Sequence, residues 1–262
     1  MGLVGFHRVG QTFTRDGVQS TALKGLELDI AEGEFYCLLG PSGCGKTTAL
    51  NLLAGFEVPT EGEVRIAGEP VRGPGADRGV VFQTHDSLFD WLTALENVEF
   101  GLRMRGAPAP ERRRAAEAAL ALVGLAAHAH KRPHELSGGM KQRVQIARVI
   151  ANRPRMMLMD EPFGALDAQT RRVLQRELSR IWERERLSVL FITHDIEEAI
   201  TLGTRVGVMH AGPASRIKAT IAISPQARAD RASEAFMRHY REIHDLIEVE
   251  VGKTLARELH EA

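Results

Sequence analysis

The chain has 262 residues, 44% of them hydrophobic, enough apolar material for one large α/β core with a smaller subdomain attached and no need of staples. Lys plus Arg number 34 and Asp plus Glu number 34, so the formal net charge is zero, which excludes a general basic field for nucleic-acid phosphates. Two cysteines, Cys37 and Cys44, are too few for a disulfide framework; the apolar stretches at 35–39 and 189–192 are strand-length, and residues 1–8 lack the features of a signal peptide, so a soluble chain that stays in the cytoplasm is expected.

Along the chain, short β-like runs alternate with longer helical patterns, the arrangement of a mainly parallel sheet covered by helices. Residues 34–39 predict an apolar strand ending at Gly40, and Lys46–Ala54 a helix stopped by Gly55. Strands follow at 63–66 and 79–82. The composition then turns rich in Ala, Arg and Leu with helical periodicity, and this stretch reads as a helical subdomain inserted into the sheet domain. Ala107-Pro108-Ala109-Pro110 breaks it, and 111–123 restarts as a helix with Pro110 suited to the first turn. Further strands are predicted at 155–159, Ser188–Thr193 and Arg205–Met209. Near the end, Phe236, Tyr240, Ile243 and Ile247 recur at spacings of four, three and four, one apolar stripe on a helix that packs on the main domain or serves as a separate interaction helix.

The pattern G-x-x-x-x-G-K-[ST] occurs at 40–47, after a strand and before a helix, the context that separates a phosphate-binding loop from a chance match. Glycines let the backbone curl so that several N–H groups converge on phosphate oxygens at the positive end of the following helix. The residues expected to touch nucleotide are Gly40, Pro41, Ser42, Gly43, Cys44, Gly45, Lys46, Thr47 and Thr48. Lys46 adds a full charge at the β- and γ-phosphates, and Thr47 a hydroxyl for Mg²⁺. Cys44, at a helix N-terminus, is expected to block nucleotide binding when alkylated; the plainer reading is a small residue that fits.

A second site lies at 155–161, an apolar strand ending in Asp160 and Glu161. Asp160 suits a water-mediated hold on Mg²⁺, and Glu161 the activation of an attacking water. Alone, such a strand end is common. Here Pro162-Phe163-Gly164-Ala165-Leu166-Asp167 follows directly, and Leu136-Ser137-Gly138-Gly139-Met140 precedes it by about twenty residues.

In this combination and order the chain resembles the nucleotide-binding subunit of ATP-binding cassette (ABC) transporters, over residues 1 to about 225. Leu136 to Arg143 is similar to the signature motif, Gln83 to the Q-loop glutamine, Asp167 to the D-loop aspartate and His194 to the switch histidine. The resemblance implies a phosphate-loop NTPase core of α/β class with an inserted helical subdomain and an antiparallel β N-terminal part. Its expected division is 1–83 and 155–225 for the ATP-binding core, 84–154 for the helical subdomain with the signature, and 226–262 for a C-terminal helical extension. It further implies ATP and Mg²⁺ as ligands and a head-to-tail homodimer that holds two ATP molecules between subunits. Ser137, Gly138, Gly139 and Asp167 are then ATP-binding residues, while Glu161, His194, Lys46 and Gln83 are catalytic and Thr47, Gln83 and Asp160 hold the metal. Phe13 is the match to the aromatic that stacks adenine, the other reading being a core Phe. Met140 departs from the family's usual Gln.

Residues 73–83, followed by 88–102 with Trp91, resemble the nitrate, sulfonate and taurine branch of bacterial importers. That branch implies import of a small oxyanion, membrane permease subunits as partners, a substrate-binding protein met only indirectly, and a peripheral position on the cytoplasmic face of the cell membrane. It also implies a groove for a permease helix after Gln83, with Leu88, Phe89 and Trp91 as apolar anchors or, equally, as core. The alternatives are an ABC ATPase of another transporter, for a different nutrient or for export, and a non-transport ABC ATPase. His128, His130 and His134 read as a solvated loop rather than a metal site. Arg112, Arg113 and Arg114, with Glu111 and Glu117 beside them, read as the wet face of a helix.

Overall fold

The computed structural model describes residues 2–82, 87–164 and 166–261. The chain divides into two compact units, one formed by residues 1–75 with 187–262 and the other by residues 76–186. In chain order, the first unit opens with β1 (Val4–Arg15), β2 (Val18–Ile30), β3 (Phe35–Leu39), α1 (Lys46–Ala54), β4 (Glu61–Ile66) and β5 (Glu69–Pro70). The second unit carries β6 (Arg78–Val81), α2 (Ala94–Met104), α3 (Ala109–Leu122), α4 (Gly138–Ala151), β7 (Met156–Asp160) and α5 (Ala168–Glu185). The chain then returns to the first unit with β8 (Ser188–Thr193), α6 (Ile196–Leu202), β9 (Arg205–Met209), β10 (Ile217–Ala222), α7 (Pro225–Ala229) and α8 (Glu234–Glu261).

The first unit contains two kinds of sheet. An antiparallel sheet runs in the order β2-β1-β4-β5, as the resemblance implied for the N-terminal part. Its hairpin is closed by Asp16 and Gly17 between the paired residues Arg15 and Val18, both turn residues having positive φ (52° and 80°). Asp-Gly suits such a two-residue turn because its twist matches that of the flanking strands. In the other sheet β3 is central, parallel to both β8 and β9, with β10 antiparallel beyond β9. All residues of β3 and β8 are buried, so these strands read in the sequence as unbroken apolar runs rather than alternating ones. The C-terminal helix α8 packs on α6, α7 and β9, with Phe236 and Ile243 of its stripe buried.

In the second unit β6 and β7 pair in parallel, and α2, α3 and α4 pack on one another, α4 also meeting β6. The capping box of Thr93 and Glu96 starts α2: the Glu96 N–H donates to Thr93 Oγ1, and the Thr93 N–H to Glu96 Oε2. Pro110 stands in the first turn of α3, as its fixed φ favours. The strand expected at 155–159 forms one residue later, so Asp160 is the last residue of β7 and keeps its carboxylate at the strand's end.

Candidate nucleotide site

Register places the first part of the site. Leu39 pairs with Thr193 on β8 and with Val208 on β9, all in parallel, so Gly40 and His194 each leave the sheet at the carboxyl edge of neighbouring strands. Ligands of open α/β sheets collect at that edge. After Gly40 the loop curls through Gly43 (φ 73°) to Gly45 (φ 91°), which caps α1 in the left-handed conformation. A Cβ at Gly45 would stand 2.7 Å from Leu23 Cδ2 and 3.3 Å from Ala22 O, so backbone freedom and space both call for glycine there. No side chain caps α1, and its first turn, Lys46-Thr47-Thr48, carries no acid. The helix therefore opens with N–H groups directed at the loop and a positive dipole end unopposed by charge, the condition for anion binding.

Lys46 is buried, and its ammonium donates to Gly40 O at 2.7 Å and Pro41 O at 2.8 Å. Loop carbonyls thus hold the cation in the cradle. Ser42, Gly43 and Thr47 are exposed, while Thr48 is half-buried. Cys44 follows the plainer of its two sequence readings, a small residue that fits. Its side chain is fully buried with Sγ 3.8 Å from Lys46 Nζ, and burial pushes the thiol above its ordinary range more strongly than Lys46 lowers it. A helix end activates a thiol only where solvent reaches it, so Cys44 is a packed residue rather than a reactive one.

His194 is exposed at the end of β8. The turn that carries it is locked: Thr193 Oγ1 donates to Glu198 Oε2 at 2.6 Å and accepts from the Asp195 N–H at 3.0 Å, while Asp195 caps α6 by accepting from the Glu198 N–H. Phe13, at 40% exposure on β1, is an open aromatic face rather than a core residue. Supports that the sequence did not single out are Ala22 and Leu23 of β2, Met209 and Gly212. A Cβ on Gly40 would lie 3.1 Å from Met209 Cβ, and one on Gly212 2.8 Å from Gly43 O.

In the second unit Asp160 ends β7 half-buried, and Glu161 follows at φ 42°. For a residue with a Cβ this conformation costs roughly 1–2 kcal/mol, and strain of this sort gathers where a side chain must be aimed. The Gly164 N–H closes the turn on Glu161 O at 3.1 Å. Ser137 is the exposed N-cap of α4, its Oγ accepting from the Met140 N–H at 3.4 Å, and Gly138 and Gly139 form the first turn. A Cβ on Gly139 would come within 2.8 Å of Thr170 Cγ2, so α4 and α5 approach at their starts because this residue is glycine. Asp167 caps α5, its Oδ1 accepting from the Gln169 and Thr170 N–H groups, each at 3.0 Å; these bonds hold its carboxyl below the ordinary range.

Gln83 lies outside the described residues. Beyond it, Leu88 is buried while Trp91 is 69% exposed, so the sequence alternatives divide between them. Phe89 packs at a tilt against both Trp91 and Phe100, with ring centroids 5.2 and 4.4 Å apart. Two residues that the sequence did not flag hold this segment. Asn97, fully buried, donates to Phe89 O, Leu92 O and Thr93 O and accepts from the Phe89 N–H. Arg148 of α4 donates to Ser87 O at 2.8 Å and lies over the Phe89 ring. Neither has a motif around it to reveal the role. Arg113 and Arg114 are exposed and Arg113 pairs with Glu117, the expected wet face, whereas Arg112 is half-buried and pairs with Glu99 of α2.

Comparison with known proteins gives this geometry a family. The family described as "ABC transporter" matches residues 23–164. A taurine import ATP-binding protein of Chromobacterium violaceum is 54% identical over 202 residues, 77% of this chain and 77% of its own length. A nitrate import ATP-binding protein of Synechocystis is 52% identical over 192 residues, covering 73% of this chain and 72% of its own. Among solved structures, a dimeric post-hydrolysis state of an ATP-binding cassette bound to ADP and Pi superimposes with a TM-score of 0.72 at 34% identity, covering 84% of this chain and 99% of that one. With its phosphate loop, antiparallel N-terminal sheet and parallel core strands, the chain belongs to the ABC transporter family and is one of its ATP-binding, ATP-hydrolysing cassettes.

Proposed function

We propose that this ATPase powers uptake of a small oxyanion of the taurine-like sulfonate or nitrate class through separate membrane permease subunits. The observation that carries the reading is identity of 54% and 52%, over 77% and 73% of the chain, to ATP-binding proteins of taurine and nitrate import. Among the described residues no helix is long and apolar enough to cross a membrane, which fits a peripheral subunit at the cytoplasmic face. The exposed Trp91 beside Phe89 and Phe100 is an apolar, aromatic patch of the kind that anchors a partner helix, here one from the permease. The transported anion meets a substrate-binding protein and the permease, never this chain.

Two such chains form a head-to-tail dimer around ATP, a reading supported by the dimeric cassette to which this one is similar. Phe13 stacks the adenine. The open start of α1 and the ammonium of Lys46 take the β- and γ-phosphates, while Ser137, Gly138 and Gly139 at the start of α4 supply the second subunit's donors, with Asp167 beside them. Glu161 accepts a proton from water as its oxygen attacks the γ-phosphorus, the bond to the bridging oxygen breaks, and ADP leaves. His194 steadies charge on the transferring group. Thr47, Asp160 and Gln83, whose hydroxyl, carboxylate and amide oxygens are hard donors, would hold Mg²⁺. When bound, it neutralises charge on the phosphates.

Glu161→Gln tests the chemistry. Turnover is expected to fall about a thousandfold while ATP still binds and dimerises the chain, as phosphate release and size-exclusion chromatography would report. Unchanged turnover removes Glu161 from the role. For the cargo, uptake of labelled taurine, alkanesulfonates and nitrate is measured in a strain lacking this chain; equal uptake with and without it for every anion overturns the importer reading.

A further inference from the structure

Among the described residues, Glu250 is the buried carboxylate of the C-terminal helix. Glu250 lies on α8, seven residues after the buried Ile243, which itself lies seven after the buried Phe236, so a carboxylate occupies a place in the buried stripe that an apolar side chain would ordinarily fill. A buried carboxylate is tolerated only with partners, and Glu250 has several. Lys253 donates to Oε1 at 2.7 Å, Lys218 reaches the same oxygen at 2.8 Å, and His210 Nδ1 stands 3.5 Å away. Oε2 accepts from the backbone N–H of Ala211 at 2.8 Å. Lys218 also donates to Leu246 O, a second tie from β10 to α8. Burial works against ionisation, yet the bonds from Lys218, Lys253 and the Ala211 N–H outweigh it and hold the carboxyl down to about 2.

Ala211 sits in the segment on which the phosphate loop rests. Gly40 meets Met209 on one side of it, and Gly43 O meets Gly212 on the other, at the close approaches given above. The rest of the segment is tied to β2, where the Ala214 and Ser215 N–H groups donate to Thr21 O and Ala22 O, and Ser215 Oγ donates to His210 O at 2.6 Å. The Ala211 N–H bonds this segment to α8, with His210 Nδ1 3.5 Å from the same carboxylate.

We propose that Glu250 is a positioning residue for the phosphate loop, fixing residues 209–212 by its bond to the Ala211 N–H and through them the backbone at Gly40 and Gly43 that receives the nucleotide phosphates. The proposal rests on residues 40–47 being the phosphate loop. It makes the C-terminal helix part of the nucleotide site's foundation, through the Glu250 carboxylate rather than through packing alone.

The test compares three variants of the full chain, Glu250→Ala, Ile243→Ala and Lys46→Ala, by ATP titration, steady-state ATPase kinetics and thermal melting. Glu250→Ala should raise the ATP Kd and KM about tenfold with kcat within about twofold. Ile243→Ala, which loosens α8 in its packing but leaves the Ala211 bond, should lower Tm with KM unchanged. Equal KM shifts in Glu250→Ala and Ile243→Ala, or none in Glu250→Ala, overturn the proposal. Should Glu250→Ala not fold, Glu250→Leu is read instead, since it fills the apolar stripe and cannot accept from the Ala211 N–H; KM raised several-fold supports the proposal, and KM within twofold of the parent overturns it. Lys46→Ala separates the two layers. If it binds ATP as the parent does, the phosphate-loop reading itself fails, whereas loss of ATP in Lys46→Ala beside parental KM in Glu250→Ala removes the positioning role alone.

Discussion

The start of α1 and the start of α5 are chemically opposite. At α1 a left-handed glycine occupies the cap, no side chain accepts from the first turn, and a lysine lies folded onto the preceding carbonyls. At α5 the Asp167 carboxylate accepts from two N–H groups of the first turn, so the donors are satisfied and the dipole is met by charge before any ligand arrives. The start of α4 lies between them, capped by a hydroxyl through one long bond and followed by two glycines. A helix N-terminus becomes an anion site when its donors are left open, and the capping residue decides which ends are left open.

The largest effect is expected at the open end. Lys46→Ala removes the full charge from the α1 cradle and should lower turnover at least about a hundredfold with a native circular dichroism spectrum; phosphate release near the parental rate would show that α1 is no more an anion site than α5. A smaller effect is expected at α4. Ser137→Ala deletes a 3.4 Å cap bond and should leave Tm nearly unchanged, yet lower turnover roughly tenfold if these donors serve the phosphate. Parental turnover at parental Tm would place α4 with the closed helix end. The smallest effect on turnover belongs to Asp167→Ala, which should lower Tm by a few degrees at pH 7. Because its folded pKa is depressed below the ordinary 3.8, the stability it contributes is present above that value and lost as pH falls through the depressed one, so parent and variant should melt together at low pH. A Tm gap that persists in acid would mean that Asp167 acts by something other than its charged cap.

Much of the candidate site was legible because the residues proposed for it are contiguous. Residues 40–47 need a particular local backbone, and the glycines, lysine and threonine that make it possible lie side by side in the sequence. The strand ending in Asp160 and Glu161 was legible for the same reason, though it begins one residue later than expected, at Met156, which pairs with Arg78 of β6. For Cys44 the position in the motif could be seen, but the burial that decides between its two readings could not. Leu88 and Trp91, both large side chains that could anchor or pack, separated only when the fold placed one inside and left the other open.

The sequence by itself determined that the chain has a phosphate loop, a strand-end acid pair and a Ser-Gly-Gly helix start in an order that marks an ATP-binding cassette. Each of these depends on spacing within a few residues, which the backbone fixes locally. Only the tertiary structure decided what stands behind them: Leu23 against Gly45, Met209 and Gly212 against Gly40 and Gly43, and Glu250 holding Ala211. These residues are ordinary in type and distant in the chain. They act through where strands and helices bring them, and Glu250 stands in an apolar stripe at a position where periodicity alone predicts a hydrophobic side chain.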